Sequence, residues 1–433
     1  MCYAIPGKVK EAREKEVLVD YFGEEKKALN ELKDIYPGDY IYAQGGYVIE
    51  RVPKDEAESI LSVWKETFFE LQEADLRLSK IDLEQKGLDK KLTIILDKIL
   101  EGIAPSKNDL LYILGLKDKS SLELVYKTAN FLRHKHLKNS CCVHGIIEFS
   151  NYCQRSCAYC GISQFNTNLP RYRMSPEQII DTAVSAVERY GFKALVLQSG
   201  EDPFYTPKIL ADIIKKIKSQ AGVLICISVG QIGIKGLKAL YEAGTRALLM
   251  RFETSNPVIY AKMHPGQNLD EQLLHIREAR RMGYLIMTGG LVGLPHQKRK
   301  DFLGDILLTK ELGAEMFSFG PFLPHPDTPL FFYKPPSSEE ILKVLAVSRF
   351  VDPTNAKILV TTAFETLDPQ ARKRGLLAGA NSVMLNITPF EFRQQYSIYP
   401  NRAYIKEKVG DQVEQTIGLL RSLGRAPTDL GVG

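Results

Sequence analysis

The sequence predicts an α/β protein: a parallel (β/α)8 barrel over residues 92–433, preceded by a smaller β-rich domain. Three observations predict it. Eight apolar or β-branched runs recur from residue 145 onward: GIIEFS (145–150), ALVLQS (194–199), VLICISV (223–229), ALLMRF (247–252), LIMTGG (285–290), MFSFG (316–320), KILVTT (357–362) and SVMLNI (382–387). Segments with helical periodicity separate them, and helix-stopping glycines at Gly191, Gly244, Gly283, Gly313 and Gly379 each precede a run. Polar and glycine residues gather where the runs end, at Ser150, Ser199 to Asp202, Arg251 to Glu253, Gly289-Gly290 and Thr361-Thr362. Barrel enzymes of the TIM type build their sites at that end, and an open doubly wound sheet fits the alternation less well.

The elements in chain order support this division. VLVDYF (17–22) and DYIYAQGGYVI (39–49) are aromatic and β-branched, with PGD (37–39) as a turn, so residues 1–52 read as short strands. Residues 54–86 read as a helix with apolar positions at Ile60, Leu61, Val63, Trp64, Phe68 and Leu71. Its end, LSKIDLEQKGLDKK, is charged without a core stripe. The predicted division is therefore a first domain over 1–75, a linker over 76–91 and the barrel domain over 92–433, the last opening with three helices over 92–137.

Composition narrows the function. The chain has 433 residues, 44% hydrophobic and 25% charged, with a net charge of +5 spread without a dense basic stripe. No nucleic-acid partner is expected. The first residues carry no apolar run after a basic patch, and no stretch of about 18 apolar residues occurs, so neither a signal peptide nor a membrane partner is expected and the predicted location is cytoplasmic. The seven cysteines are an odd number, and three fall within eight residues. That suits a reduced metal site rather than a disulfide framework.

Those three are Cys153, Cys157 and Cys160 in NYCQRSCAYCGI, a C-x3-C-x2-C spacing just after the first barrel strand. Thiolates suit iron–sulfur clusters, and three of them leave one iron of a four-iron cluster open for chemistry. A zinc site completed by His144 is the alternative, although structural zinc favours paired C-x2-C knuckles. The loop resembles that of the radical S-adenosylmethionine (SAM) superfamily. The resemblance implies a [4Fe-4S] cluster on the three cysteines and SAM on its open iron. It implies that Tyr159 lies by the adenine, and that Gly200, Glu201 and Asp202 of QSGEDP bind the methionine amine.

A narrower resemblance covers about residues 92–423. RYRMSPEQII, LQSGEDP, RFETSNPVIY, GLVGLPHQ, FGPFLPHPDTPL and LLAGANSVMLNITP look like the HydE-type maturases of [FeFe]-hydrogenase. It implies a buried polar chamber in which the radical acts on a sulfur-containing or iron-bound small substrate. Glu253 would hold the ribose hydroxyls with Arg251 beside the cofactor, and Ser228, Thr361, Thr362 and Tyr399 would line the chamber. A reductant such as ferredoxin or flavodoxin, and a hydrogenase or another maturation protein, would be its partners. The chain departs from the family in several places. Phe252 replaces a histidine, Gln231 replaces an acid after Ser228-Val229-Gly230, and Gln272 stands where an arginine for the SAM carboxylate aligns. Phe364 and Glu365 replace smaller or thioether residues, and the cysteines of an accessory cluster are missing.

MCYAIPGKV followed by PGDYIYAQGGYVIE resembles HypC, the small chaperone of [NiFe]-hydrogenase assembly, over roughly residues 1–75. This implies a small OB-like β-barrel with a C-terminal helix. It also implies that Cys2, N-terminal once Met1 is removed, carries an iron fragment. The bland reading is an inert Cys2, and Gln44 stands where the chaperones carry a histidine. Tethering two such modules raises their mutual concentration to roughly millimolar. The arm over 54–86 could span about 45 Å, which would let Cys2 reach the barrel's open end or a third protein. Cys141, Cys142, Cys226, Met282 and Met287 are expected to pack in the core, and His325 is a candidate for the chamber. Two other functions fit the residues: a mutase or C–S-bond enzyme on a free amino acid, like methylornithine synthase, and a non-enzymatic cluster carrier. Formation of 5′-deoxyadenosine separates the carrier from the enzymes.

Overall fold

The computed structural model describes residues 4–81 and 89–431. Cys2 and residues 82–88 lie outside the described residues.

Five strands come first: β1 (Gly7–Ala12), β2 (Glu16–Tyr21), β3 (Glu24–Leu29), β4 (Tyr40–Gln44) and β5 (Tyr47–Val52). They close a small barrel in the order β1-β2-β3-β5-β4. Val9, Val19, Ile41 and Val48 fill it, and the helix Lys54–Leu78 lays Trp64, Phe68 and Leu71 on the same core. The single run expected over 39–49 is a hairpin. Gly45 and Gly46 turn the chain with φ of 57° and 83°, the left-handed pair that a two-residue hairpin needs, and Gln44 pairs with Tyr47. The helix expected to reach residue 86 ends at Leu78, and the next begins at Lys90.

Three helices, Lys90–Leu100, Lys107–Gly115 and Lys119–Leu137, lead into the large barrel. Its strands are β6 (Ser140–Ser150), β7 (Ala194–Ser199), β8 (Leu224–Ser228), β9 (Thr245–Leu249) and β10 (Leu285–Thr288). After the short β11 (Leu291–Val292) come β12 (Met316–Phe317), the short β13 (Gly320–Pro321), β14 (Lys357–Val360), β15 (Ser382–Asn386) and finally β16 (Ala426–Pro427). The order β6-β7-β8-β9-β10-β12-β14-β15 closes on itself because β15 pairs with β6, so the predicted eight-stranded parallel barrel is present. The first strand starts before Gly145, because Ser140 to His144 are buried too: β16 pairs with its start and β15 with Cys142 onward. Among the described residues no helix is long and apolar enough to cross a membrane.

The small barrel sits on the floor of the large one, at the N-terminal ends of its strands. A Cβ on Gly45 would lie 2.7 Å from Leu285 and 3.0 Å from Leu224. Lys193 meets Glu50 at 3.4 Å and stacks over Tyr42, and the Tyr47 hydroxyl donates to the Gly283 carbonyl at 3.2 Å. The helix from Lys54 is not a free arm. Its buried Asp75 is held by Arg133 at 2.6 Å, His134 at 2.7 Å and Arg425 at 3.2 Å. Ala4 lies against Pro427 on the floor, its amide 3.5 Å from that carbonyl. The first domain therefore faces the end of the barrel opposite the cysteine loop, not the open end.

Candidate active site

A cavity of about 340 Å3 opens at the C-terminal ends of the strands and reaches down to Ile146, Leu359 and Met384 inside the barrel. Cys153, Cys157 and Cys160 line its mouth. Their loop is stapled from within. The Arg171 guanidinium donates to the carbonyls of Asn151, Ile162, Ser163 and Asn166 at 2.5–2.9 Å, satisfying four acceptors of an otherwise irregular segment. Asn151 adds bonds to the Pro170 and Gln395 carbonyls, both at 2.8 Å. Gly200 lets β7 end hard against this loop, since a Cβ there would sit 2.2 Å from the Tyr152 carbonyl oxygen. Burial pushes the Cys160 thiol up to about 12 and the Cys157 thiol well above its usual value.

The only histidine lining the cavity among the described residues is His264. Both of its ring nitrogens are engaged, by the Tyr159 hydroxyl at 3.0 Å and the Tyr260 carbonyl at 3.2 Å. His144 lies at the start of β6, beside Asp429 at 3.2 Å, so it cannot complete a zinc site on the loop. Among the described residues the cavity thus offers three thiols and no histidine free to join them, the set that a site-open four-iron cluster takes.

Around the mouth, Glu201 is paired with Arg155 and accepts from the Gln231 amide at 3.0 Å. Asp202 does not line the cavity: Arg173 at 2.7 Å and Ser150 at 2.7 Å take up its carboxylate, which fixes the turn. Tyr159 is half-buried, edge-on to His264 and Phe322. Glu253 carries an unusual φ of 65°, and its carboxylate enters the cavity. One oxygen accepts from Arg251 at 3.1 Å, while the other is buried with no hydrogen-bond partner. Burial pushes this carboxyl up, and Arg251 opposes the shift. An orphaned carboxylate oxygen in a polar cavity is a place for a hydroxyl donor.

Two of the expected departures from the family, Gln231 and Gln272, hydrogen-bond each other at 2.7 Å. Arg155 donates to Gln231 at 3.2 Å, and Gln272 donates to the Arg251 carbonyl at 2.9 Å. A neutral amide pair thus occupies these two positions, with the Arg155 guanidinium bonded to it and lining the cavity beside the cysteines.

Ser228, Thr361, Thr362 and Tyr399 all line the cavity, with Thr362 and Tyr399 hydroxyls 3.0 Å apart. Phe364 and Glu365 do not. The helix that starts at Thr362 turns them away, Phe364 into the core and Glu365 onto Arg372 at 2.6 Å, so neither belongs to the chamber wall. His325 lies behind the cysteine loop, 3.2 Å from Ser397, rather than in the chamber. The deeper wall holds residues the motifs did not single out. Glu148 on β6 is paired with Arg402 and accepts from Asn386 at 2.8 Å. Arg402 stacks near Tyr396 and Tyr399, and its Nε has no partner. An acid inside the apolar run IIEFS was the available signal for Glu148.

Comparison with known proteins agrees with this geometry. Residues 147–308 match the model of the radical SAM superfamily, and residues 1–64 that of the HupF/HypC family. The [FeFe] hydrogenase maturase subunit HydE of Thermotoga maritima is 38% identical over 314 residues, 72% of this chain and 89% of the relative. The 3-methylornithine synthase of Methanosarcina barkeri is 30% identical, over 68% of this chain and 83% of the relative. Among solved structures, methylornithine synthase superposes with a TM-score of 0.69 at 27% identity, covering 77% of this chain and 97% of the other. The maturase HydG shares the fold at a TM-score of 0.66 and 20% identity, over 84% of this chain and 78% of the other. The chain belongs to the HydE family of radical SAM enzymes, which use a [4Fe-4S] cluster and SAM, and it carries a HupF/HypC-family domain at its N-terminus.

Proposed function

We propose that this chain is a radical SAM enzyme of [FeFe]-hydrogenase maturation, acting on a sulfur-containing or iron-bound small substrate held deep in the barrel. The observation that carries the reading is one continuous cavity lined at its mouth by three cysteines and at its depth by Thr361, Thr362, Tyr399 and the Glu148–Arg402 pair. A [4Fe-4S] cluster with SAM supplies a 5′-deoxyadenosyl radical when both are bound. Cys153, Cys157 and Cys160 hold the cluster. Glu253 accepts the ribose hydroxyls on its orphaned oxygen, Tyr159 walls the adenine, and the backbone at Gly200 and Glu201 meets the methionine amine. Arg155 faces the SAM carboxylate in place of the arginine that Gln272 replaces. Buried walls exclude water from the reacting carbon.

In the N-terminal domain, Cys2 serves as an iron-fragment ligand, and a ferredoxin or flavodoxin in the cytoplasm supplies electrons. A second reading is favoured by one observation: the deep wall carries an acid and a base, Glu148 and Arg402, whose mutual pairing the ammonium and carboxylate of a free amino acid would exchange for their own, as a mutase would need. The deciding experiment replaces HydE by this chain in an anaerobic [FeFe]-hydrogenase maturation assay. Hydrogenase activity with 5′-deoxyadenosine formation supports maturation. SAM cleavage driven by free amino acids without hydrogenase activation supports the mutase.

A further inference from the structure

The floor of the barrel holds a cluster that the chamber leaves unused. Cys142 and His144 are two apart on β6 and so share a face. Cys142 packs with Cys226, Met287, Met316 and Met384 in the barrel interior. β16 runs parallel to the start of β6 with Pro427 opposite Cys141, which brings the next residues of the tail, Thr428 and Asp429, alongside Cys142 and His144. The Thr428 amide donates to the Cys141 carbonyl at 2.9 Å, and the Thr428 hydroxyl to Asp429 at 2.8 Å, so the acid is oriented. One ligand atom from each of Cys142, His144 and Asp429 lies within 4.8 Å of the others. Their exposures are 2%, 4% and 3%. His144 reaches Asp429 with Nε2 at 3.2 Å, while its Nδ1 is buried with no hydrogen-bond partner.

We propose that Cys142, His144 and Asp429 form a site for a divalent transition-metal ion of the Zn2+ or Fe2+ class, separate from the cysteine loop. The mixed sulfur, nitrogen and oxygen donors suit such borderline ions rather than Ca2+ or Mg2+. Donors at zinc bond lengths of about 2.0–2.3 Å stand roughly 3.3–3.8 Å apart around a tetrahedral ion, so closing the triad needs a shift on the order of 1 Å. The thiolate and the carboxylate together balance the two positive charges. Binding releases the Cys142 proton to solvent and leaves a fourth position for water or another ligand. Lys357 on β14 is the neighbouring cation, and Glu315 holds its ammonium at 3.6 Å. The ion would tie β6 to the C-terminal tail where the tail also meets Ala4 of the small barrel, and so would lock both domains to the floor. This site is independent of the reaction in the chamber.

The test uses the full chain with its cluster reconstituted, so that the loop cysteines are occupied. Zn2+ is added, excess is removed, zinc and iron are counted, and anomalous diffraction at the zinc edge locates the ion. The expected result is one retained zinc on Cys142, His144 and Asp429, with a higher thermal midpoint when zinc is present. Cys142→Ser and Asp429→Asn should each weaken zinc binding at least tenfold while keeping about four irons. Zinc found only at the cysteine loop or on the surface overturns the site, as does unchanged binding in both variants. Circular dichroism reports folding. If one variant fails to fold the other decides, and if both fail the wild-type anomalous map decides.

Discussion

Glu253→Gln offers a sharp test of how SAM is held. Glu253 presents one oxygen to Arg251 at 3.1 Å and a second, unpartnered oxygen to the cavity. An amide keeps one acceptor and turns the other into a donor, so the ribose loses one charge-assisted bond. Such a bond is worth about 1.5–3 kcal/mol, which at 1.4 kcal/mol per tenfold predicts a rise in the SAM dissociation constant of roughly tenfold to a hundredfold. The control is Glu365→Gln, another buried carboxylate paired with an arginine, Arg372 at 2.6 Å, but outside the cavity. It should lower thermal stability and leave SAM affinity unchanged. Equilibrium binding of SAM to reconstituted enzyme, with the cluster absorbance as internal reference, measures both. Equal SAM affinity in wild type and Glu253→Gln, or an equal loss in the two variants, would refute the assignment.

Other expectations follow from named contacts. Arg155→Gln should weaken SAM while leaving an analogue without the carboxylate unaffected, as competition binding would show; parallel losses for both ligands would mean that Arg155 only shapes the loop. His264 is held near 4 by burial, below the usual 6.5 or so, and is uncharged at neutral pH. The unfolded chain takes up its proton as pH falls below about 6.5 while the folded chain does not, so stability present above that pH is lost toward pH 4, by up to about 3 kcal/mol. His264→Gln should flatten that slope in denaturant titrations at pH 4–7, and an unaltered slope would contradict it. Asp75→Asn should lower stability by about 3–5 kcal/mol, because it leaves Arg133 and Arg425 buried without their counter-charge; a thermal midpoint within a degree or so of wild type would show the joint to be unimportant.

The barrel was legible because its signal is local and repeated: eight apolar runs, five of them preceded by a glycine stop, each with the strand's own composition. The three cysteines were legible for the same reason, packed into eight consecutive residues. What escaped depends on distance along the chain. Gln231 and Gln272 look like two unrelated losses, and only the fold shows them bonded across 41 residues. Glu148 and Arg402 are 254 apart, and nothing local marks Arg402 as its partner. Phe364 and Glu365 adjoin Thr361 and Thr362 in the chain, yet a helix begins at Thr362 and keeps them out of the cavity that the threonines line. The docking of the small barrel on the floor rests on Gly45 meeting Leu224 and Leu285, a surface match that neither segment displays alone.

The central claim is that Cys153, Cys157 and Cys160 build the radical centre. The direct measurement is 5′-deoxyadenosine formed from SAM under strong reductant, with iron and sulfide counted in the same sample, in wild type and Cys157→Ala. The account predicts about four irons and four sulfides with clear SAM cleavage in wild type, and loss of both in the variant. Cleavage at the wild-type rate by Cys157→Ala would contradict it.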